Sequence, residues 1–437
     1  MPDTPTLNLA PFAEPAWLTT LASPYYNESH RRLQRAVRAY LDEHVFPFVE
    51  EWEENGRVPL EAKRQYAQAG LAFQEMPARY AHGVQLPGGV SFAEWDIFHF
   101  LVLHYEVHRI GSGGVISGLG GSLAIGVPPL VHYGTDAQKE QWLHGIFTGE
   151  TSFCLGATEP TGGSDLANLR TTARQTPDGT AYIVNGHKKW ISGGLTATHM
   201  TTAVRTGGGG GGRPGAQGIS VLVVPLDSPG VTRRAIKNSG FHAGESTWVT
   251  LEDVVVPAAN LLGEENGGFR CLMANFNRER LIMAVGMNSM ARACLEDAWA
   301  YALDRQAFGR PLFAHQVVRH KLATLARYVE SHWAWIEQIA FHIKATSTST
   351  STSVGDELAG RIALAKVHGG RILELANREA QQIFGGAAYQ RGGVGGRVER
   401  IGRDLRVSVV GGGSEEIITD LAIRQEMREA EKREAKL

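Results

Sequence analysis

One carboxylate interrupts an apolar line. Within "GGFRCLMANFNRERLIMAVGM" positions 272, 276, 279, 283 and 287 share a helical stripe, occupied by Leu272, Phe276, Glu279, Met283 and Met287. A carboxylate buried on such a face costs several kcal/mol unless it is neutralised, paired or functional. In a dry pocket its pKa rises, which suits a base that removes a weakly acidic proton. The alternative is an ion pair with a basic residue elsewhere, since Arg278 and Arg280 point to other faces of the helix. Four further stretches offer a place for a ligand. "FCLGATEPTGGSDLANLRTTA", Phe153 to Ala173, gathers backbone N–H groups and hydroxyls suited to a flat heteroaromatic ring or a phosphate. In "KKWISGG", Trp190 can lie against a ring face and Ser192 can donate to it. "DRQAFGRPLFAHQ" supplies Arg305, Arg310 and a Phe308-Gly309 bend on a helix-like segment, a set suited to gripping a pyrophosphate. In "QQIFGGAAYQRGG", Gly385-Gly386 lets a ligand approach the main chain.

Three kinds of segment must position these residues. From Tyr26 to about Gly149 the pattern is helical, and "SHRRLQRAVRAYLDEHVFPFVEEWEENG" predicts a helix that ends near Asn55-Gly56. From Thr151 to Leu262 strands dominate: Asp178-Gly179 and Asn185-Gly186 read as tight turns around the β-prone run Ala181 to Val184, and "GISVLVVPL" and "TWVTLEDVVVP" are Val-rich. Helical periodicity returns from Gly267. Two low-complexity tracts, Gly207 to Gly212 and Thr346 to Ser353, read as exposed connections. The order predicts an α+β chain: a helical domain over residues 1–150, a β domain over 151–262 and a helical domain over 263–437.

Composition narrows the function classes. The 437 residues carry a formal charge of −2, so no global positive field exists to hold nucleic acid or an anionic membrane. Three cysteines without C-x-x-C spacing argue against a disulfide framework or a structural zinc site. No window of 18 or more apolar residues appears, so no segment is expected to span a bilayer. The first 20 residues lack Lys and Arg, unlike a secretory or mitochondrial leader. The ending Ala435-Lys436-Leu437 is a variant of the Ser-Lys-Leu peroxisomal address; its alternative is a charged helix end on a cytoplasmic protein. "HFLVLHYEVH", with His99, His104 and His108, lacks an H-E-x-x-H arrangement, and no metal is predicted.

In this order, these stretches resemble the acyl-CoA dehydrogenase family of flavoproteins. The resemblance runs from the helical start through "EDVVVPAANLLGEENGGF" to the final helices, and "TEP…GSD" and "RQAFG…Q" carry it most specifically. It implies an N-terminal helical domain, a middle β domain, a C-terminal four-helix bundle, bound FAD and a homotetramer. By position, Leu155, Ala157, Thr158, Ser164, Trp190, Ile191 and Ser192 would hold the flavin, with Ser164 also touching the CoA arm. Arg305, Phe308 and Gln316 would reach the FAD of a neighbouring subunit. Gln382, Gly385 and Gly386 would lie on the pyrophosphate or adenosine side, and Ser414 and Glu416 would face the nucleotide. Asn277 and Arg280 would border the acyl-CoA.

The implied reaction is α,β-desaturation of a thioester, in which a base takes the α-proton and the flavin accepts the β-hydride. Many members place the base in a "Y-E-G" motif where this chain reads "GGG": Gly411 stands for the Tyr and Gly412 for the Glu. Isovaleryl-CoA and long-chain dehydrogenases lack that Glu too and carry the base on the first helix of the C-terminal bundle, where the matching residue is Glu279. Gly412 then keeps a backbone N–H for the thioester carbonyl, and Gly411 leaves room for a branched or bulky acyl group. Glu415 and Glu416 are rival bases by proximity, with Glu415 expected to face solvent. Ala388 departs from the usual Gly, Glu416 from a frequent Gln, and "RGGVGGRVERIGRD" is long for the family. Electron-transfer flavoprotein is the implied acceptor; an oxidase that uses oxygen and a non-catalytic flavoprotein scaffold are the alternatives.

Overall fold

The computed structural model describes residues 10–19, 21–207, 215–346 and 356–435. The tract after Gly207, the tract after Thr346, and the terminal Lys436 and Leu437 lie outside the described residues.

Ahead of the strands run α1 (Ala16–Thr19), α2 (Glu28–His44), α3 (Val49–Glu54), α4 (Leu60–Gln68), α5 (Ile97–His108), α6 (Gly113–Ile116), α7 (Ser122–Gly126), α8 (Pro128–Tyr133) and α9 (Asp136–Thr148). The strands are β1 (Phe153–Gly156), β2 (Thr172–Gln175), β3 (Ala181–Ile191), β4 (His199–Arg205), β5 (Ile219–Pro225), β6 (Val231–Ala235), β7 (Thr247–Pro257) and β8 (Leu261–Leu262). Then come α10 (Gly268–Asp304), the short strands β9 (Gln306–Ala307) and β10 (Arg310–Pro311), α11 (Gln316–Thr346), α12 (Ala359–Phe384), α13 (Gly396–Val410) and α14 (Glu415–Glu434). Where the sequence reading expects four C-terminal helices, the last is divided at Gly411–Gly413 into α13 and α14. The single helix expected up to Asn55 is likewise broken: α2 stops at His44, because Pro47 lacks an N–H and starts a 3₁₀ turn over Phe46–Phe48.

The chain forms two compact units. One comprises the chain up to Glu50, Pro87–Gly113 and Arg280 onward; the other comprises Glu51–Leu86 and Gly114–Glu279. In the first, Met287, Leu295, Leu322, Val329, Leu373 and Ile401 from α10 to α13 share one buried core. Arg292 is fully buried there, and its guanidinium donates to the Asn288 side chain at 2.9 Å and to the Phe12 carbonyl at 2.8 Å. That satisfies donors which a desolvated cation cannot leave unmet.

The second unit holds an eight-stranded sheet in the order β6-β7-β3-β2-β4-β5-β8, with β1 added in parallel against β4. Asp178-Gly179 makes the expected turn, with Gly179 at φ 72°. Asn185-Gly186 does not. It lies inside β3 as a bulge against β7, where Gly186 at φ 149° passes so close to Thr171 that a Cβ would overlap it. The β7 partner strand continues past it, and Asn185 Oδ1 accepts from the Asp253 N–H at 2.8 Å, so pairing overrides the turn preference. The run Gly113–Tyr133 corrects the expectation about apolar windows. Helical but for a bend at Val127, it is long and apolar enough to cross a membrane by length and composition, yet 72% of its apolar window is buried inside the fold. Its apolar character comes from Val115, Ile116, Leu119, Leu123, Ile125, Val127, Leu130 and Val131, and the Gly and Ser residues between them break up the stretch in the sequence.

Candidate active site

In the β-containing unit, the TEP loop and the Trp190 strand end meet through main chain: the Lys189 N–H donates to the Thr158 carbonyl at 2.9 Å. Leu155, Ala157 and Ile191 are buried beneath, Thr158 and Ser192 are half-buried, and Ser164 is exposed. A buried ion pair locks this corner, with Lys188 Nζ 2.8 Å from Glu159 Oε1. The same carboxylate accepts from the Arg170 and Thr171 N–H groups at 2.6 and 2.9 Å. Burial pushes the Glu159 carboxyl up, but the Lys188 ammonium and those N–H groups overcome it and hold the pKa below its usual value. Burial also lowers Lys188, to about 8, against the pull of Glu159. The sequence reading missed this pair, although a lysine directly before Lys189-Trp190 was a visible signal.

Trp190 is 51% exposed, and its backbone sits at φ 65°. Left-handed backbone is costly for an aromatic residue and is kept where surroundings enforce it, commonly at functional sites. The Lys189 ammonium lies 4.5 Å from the ring centroid on one side. Such a held, exposed indole fits a flat heteroaromatic ring laid against it.

On α10 the carboxylate is buried as the periodicity predicts: Glu279 is 8% exposed, Leu272 is fully buried, and Phe276 is half-buried. Asn275, one turn earlier, donates its amide to Glu279 Oε1 at 2.7 Å and to the Ile125 carbonyl at 2.9 Å. This contact fixes the carboxylate's orientation. Asn275 was missed by the sequence reading, although its spacing of four from Glu279 could have shown it. Arg278 turns away to Glu75 and to the Ala124 carbonyl. Asn277 is buried on the same helix.

In the helical unit, the glycine turn is held by two cations. Gly412 has φ 64° and Gly413 φ 109°. Arg280 Nε donates to the Gly412 carbonyl at 3.0 Å, bringing together two residues singled out in the sequence. Lys366 Nζ donates to the Val409 carbonyl and, at 2.9 Å, to the Gly413 carbonyl. Burial lowers the Lys366 pKa to about 8, with Arg280 adding to the shift and Glu415 opposing it. The sequence reading passed over Lys366, an isolated cation in the apolar run "IALAKVHGG".

Two site expectations change on this side, at Gly411 and at Ala388. The room expected beside Gly411 is filled by Met283: a Cβ at Gly411 would lie 3.2 Å from its methyl carbon, and one at Gly412 would lie 2.9 Å from its sulfur. Glu415 is partly exposed, as expected, and is paired at the surface with Arg371 from α12 at 2.6 Å; Glu416 is exposed too. Ala388 fits a right-handed 3₁₀ turn over Gly385–Ala388, where no glycine is needed at its position.

The remaining cofactor candidates lie at the surface of the helical unit. Phe308-Gly309 forms the tip of a β9–β10 hairpin rather than a bend on a helix, with Phe308 at φ 52° and 95% exposed. Two residues between short antiparallel strands favour left-handed backbone, which overrides the helical look of the segment. Arg305 and Gln316 are exposed beside it. Gln382, Gly385 and Gly386 are exposed too, and a Cβ built on either glycine meets nothing within 4 Å.

The same unit also brings His30, Asp96 and His99 together, their ligand-capable atoms within 4.8 Å of one another. Each ring nitrogen already has a partner. His30 uses Asn27 and Asp96 at 3.0 Å, and His99 uses the Asp96 N–H at 3.2 Å and Ser29 Oγ at 3.0 Å. Asn27 and Asp96 cap α2 and α5, so the cluster serves as a paired helix-cap node. His108 is bonded to the His104 carbonyl at 2.7 Å and is pushed down to about 4 by burial.

The chain matches known proteins over most of its length. Family domains described as acyl-CoA dehydrogenase N-terminal, middle and C-terminal domain match residues 27–150, 154–254 and 266–427. The chain is 44% identical over 423 residues to the acyl-CoA dehydrogenase AFT10-1 of Alternaria alternata, covering 96% of each. It is 40% identical to the acyl-CoA dehydrogenase apdG of Emericella nidulans, covering 99% of this chain and 98% of that one. An acyl-CoA dehydrogenase structure from Geobacillus kaustophilus aligns with TM-score 0.82 at 29% identity, over 92% of this chain and 99% of that one. One from Bacillus anthracis, complexed with FAD, aligns with TM-score 0.81 at 25% identity, over 93% and 68%.

Proposed function

This chain belongs to the acyl-CoA dehydrogenase family of FAD-dependent oxidoreductases acting on CH–CH groups, and from that premise we propose that it desaturates an acyl-CoA with Glu279 as its base. The observation that carries the reading is a carboxylate on α10 that is buried and oriented by Asn275, in a chain whose position 412 has no side chain. Bound FAD would supply the acceptor for the hydride that leaves the β-carbon.

The residues present fit that group. Trp190 offers an exposed ring held in left-handed backbone, Thr158 and Ser192 offer hydroxyls beside it, and Gly385 and Gly386 offer bare main chain. Glu279 takes the α-proton of the thioester. The amide of Asn275 keeps the carboxylate aimed before the transfer. The Gly412 N–H has no hydrogen-bond partner among the described residues and donates to the thioester carbonyl, so it polarises the α-carbon. Asn277, Arg280 and Ser164 border the CoA thioester arm. A branched acyl group enters by displacing the flexible Met283 side chain from beside Gly411. The exposed Phe308, Arg305 and Gln316 await a second copy of the chain, in a homotetramer.

The test is anaerobic titration of the flavin-loaded protein with straight, branched and cyclic acyl-CoAs. Bleaching of the flavin by at least one, with enoyl-CoA as product, is expected. No bleaching by any of them overturns the reading in favour of a scaffold. Electron-transfer flavoprotein is the proposed acceptor, and stoichiometric peroxide in air without it would instead make the protein an oxidase.

A further inference from the structure

We propose that Lys366 is a positioning residue that clamps the glycine turn from both ends, so that the Gly412 N–H is held in place for the thioester carbonyl; this rests on the reading of Gly412 given above. Three successive glycines, Gly411 to Gly413, have more backbone freedom than any other tripeptide, and an N–H donor works only where it is already aimed. Arg280 holds the carbonyl of Gly412 itself. Lys366 holds the carbonyls of Val409 and Gly413, which bracket the Gly411-Gly412 pair. The three contacts leave the turn little to explore.

Lys366 is 1% exposed on α12, so keeping an ammonium there has a desolvation cost that an apolar residue of similar length would avoid. The charged groups that face it are Arg280 from α10 and Glu415 from α14, and the latter is shared with Arg371. With its pKa near 8, Lys366 is cationic at neutral pH and loses a proton in mildly alkaline solution. The neutral amine is a weaker donor to both carbonyls.

The test uses flavin-loaded Lys366→Met and Lys366→Arg. The expected result for Lys366→Met is a kcat lower by roughly 100-fold with KM little changed, as for a reacting geometry displaced by about 1 Å. The infrared carbonyl band of bound enoyl-CoA should also lose part of its shift to lower frequency. The wild-type kcat should fall above pH of about 8, and in Lys366→Arg that alkaline limb should move upward, since guanidinium stays charged. Wild-type kcat, carbonyl band and pH profile in Lys366→Met would overturn the clamp while leaving Glu279 and Gly412 in their roles. If Lys366→Met does not load flavin, Lys366→Arg decides alone, and an unmoved alkaline limb refutes the proposal. Full activity in Glu279→Gln would instead remove the reading on which the clamp rests.

Discussion

Replacing Glu279 with glutamine is the sharpest perturbation of the proposed chemistry. Glutamine has nearly the same volume, and its side-chain oxygen can still accept the Asn275 amide that now lies 2.7 Å from Glu279 Oε1. Packing around a residue only 8% exposed is therefore kept, and what disappears is the basic oxygen. At such burial, water is poorly placed to act as a substitute. A positioned general base contributes about 10²- to 10⁴-fold, so the barrier should rise by about 3–5 kcal/mol. Aspartate is the graded control. It keeps the charge but withdraws the carboxylate by about 1.5 Å, one carbon–carbon bond, and a displacement near 1 Å already costs on the order of 100-fold. Both variants should remain yellow, because Thr158, Trp190 and the Lys188–Glu159 pair are untouched. The assay is single-turnover flavin bleaching under anaerobic conditions, with the best acyl-CoA from the panel. A Glu279→Gln rate constant within tenfold of wild type would refute the reasoning and move the base elsewhere.

The remaining outcomes follow from single contacts. Glu415→Gln should leave kcat within about threefold of wild type, because Arg371 already occupies that carboxylate; a loss near 100-fold would revive it as a base. Gly412→Ala should lower kcat by about 10²–10³, since left-handed backbone costs a Cβ residue roughly 1–2 kcal/mol and the new Cβ lies against Met283. Adding Met283→Ala should recover part of this by removing the steric share, as steady-state kinetics would show. His332, bonded to the Ala365 carbonyl at 2.9 Å, is lowered by burial from 6.5 to about 3. Its contribution to stability is thus complete above pH 6.5 and is lost as pH falls toward 3, by up to about 5 kcal/mol. Thermal unfolding from pH 7 to 4 should show this acid loss, and His332→Gln should flatten it.

Periodicity and local propensity carried much of the reading. The helix–strand–helix order, the helical stripe that buries Leu272 and Glu279, and the Asp178-Gly179 turn all follow from spacing along the chain. Motif order carried the family. Features whose determinants are close in sequence were legible for that reason: side-chain period, turn chemistry and the bare main chain of Gly411 to Gly413 need no distant partner.

What was not legible depends on residues far apart in the chain. Asn185-Gly186 has a turn's composition, but β7, more than 60 residues later, continues the pairing and turns it into a bulge. The glycines at 411 and 412 look like empty space until Met283 fills it, and the partner of Glu415, Arg371, lies 44 residues away. Lys366 reads as one more helix lysine, and only the arrival of the Val409 and Gly413 carbonyls gives its charge a task. Local sequence specifies which groups are available. Which of them are desolvated, and against what, is set by long-range packing, and desolvation is what turns an ordinary carboxylate or ammonium into a chemical device.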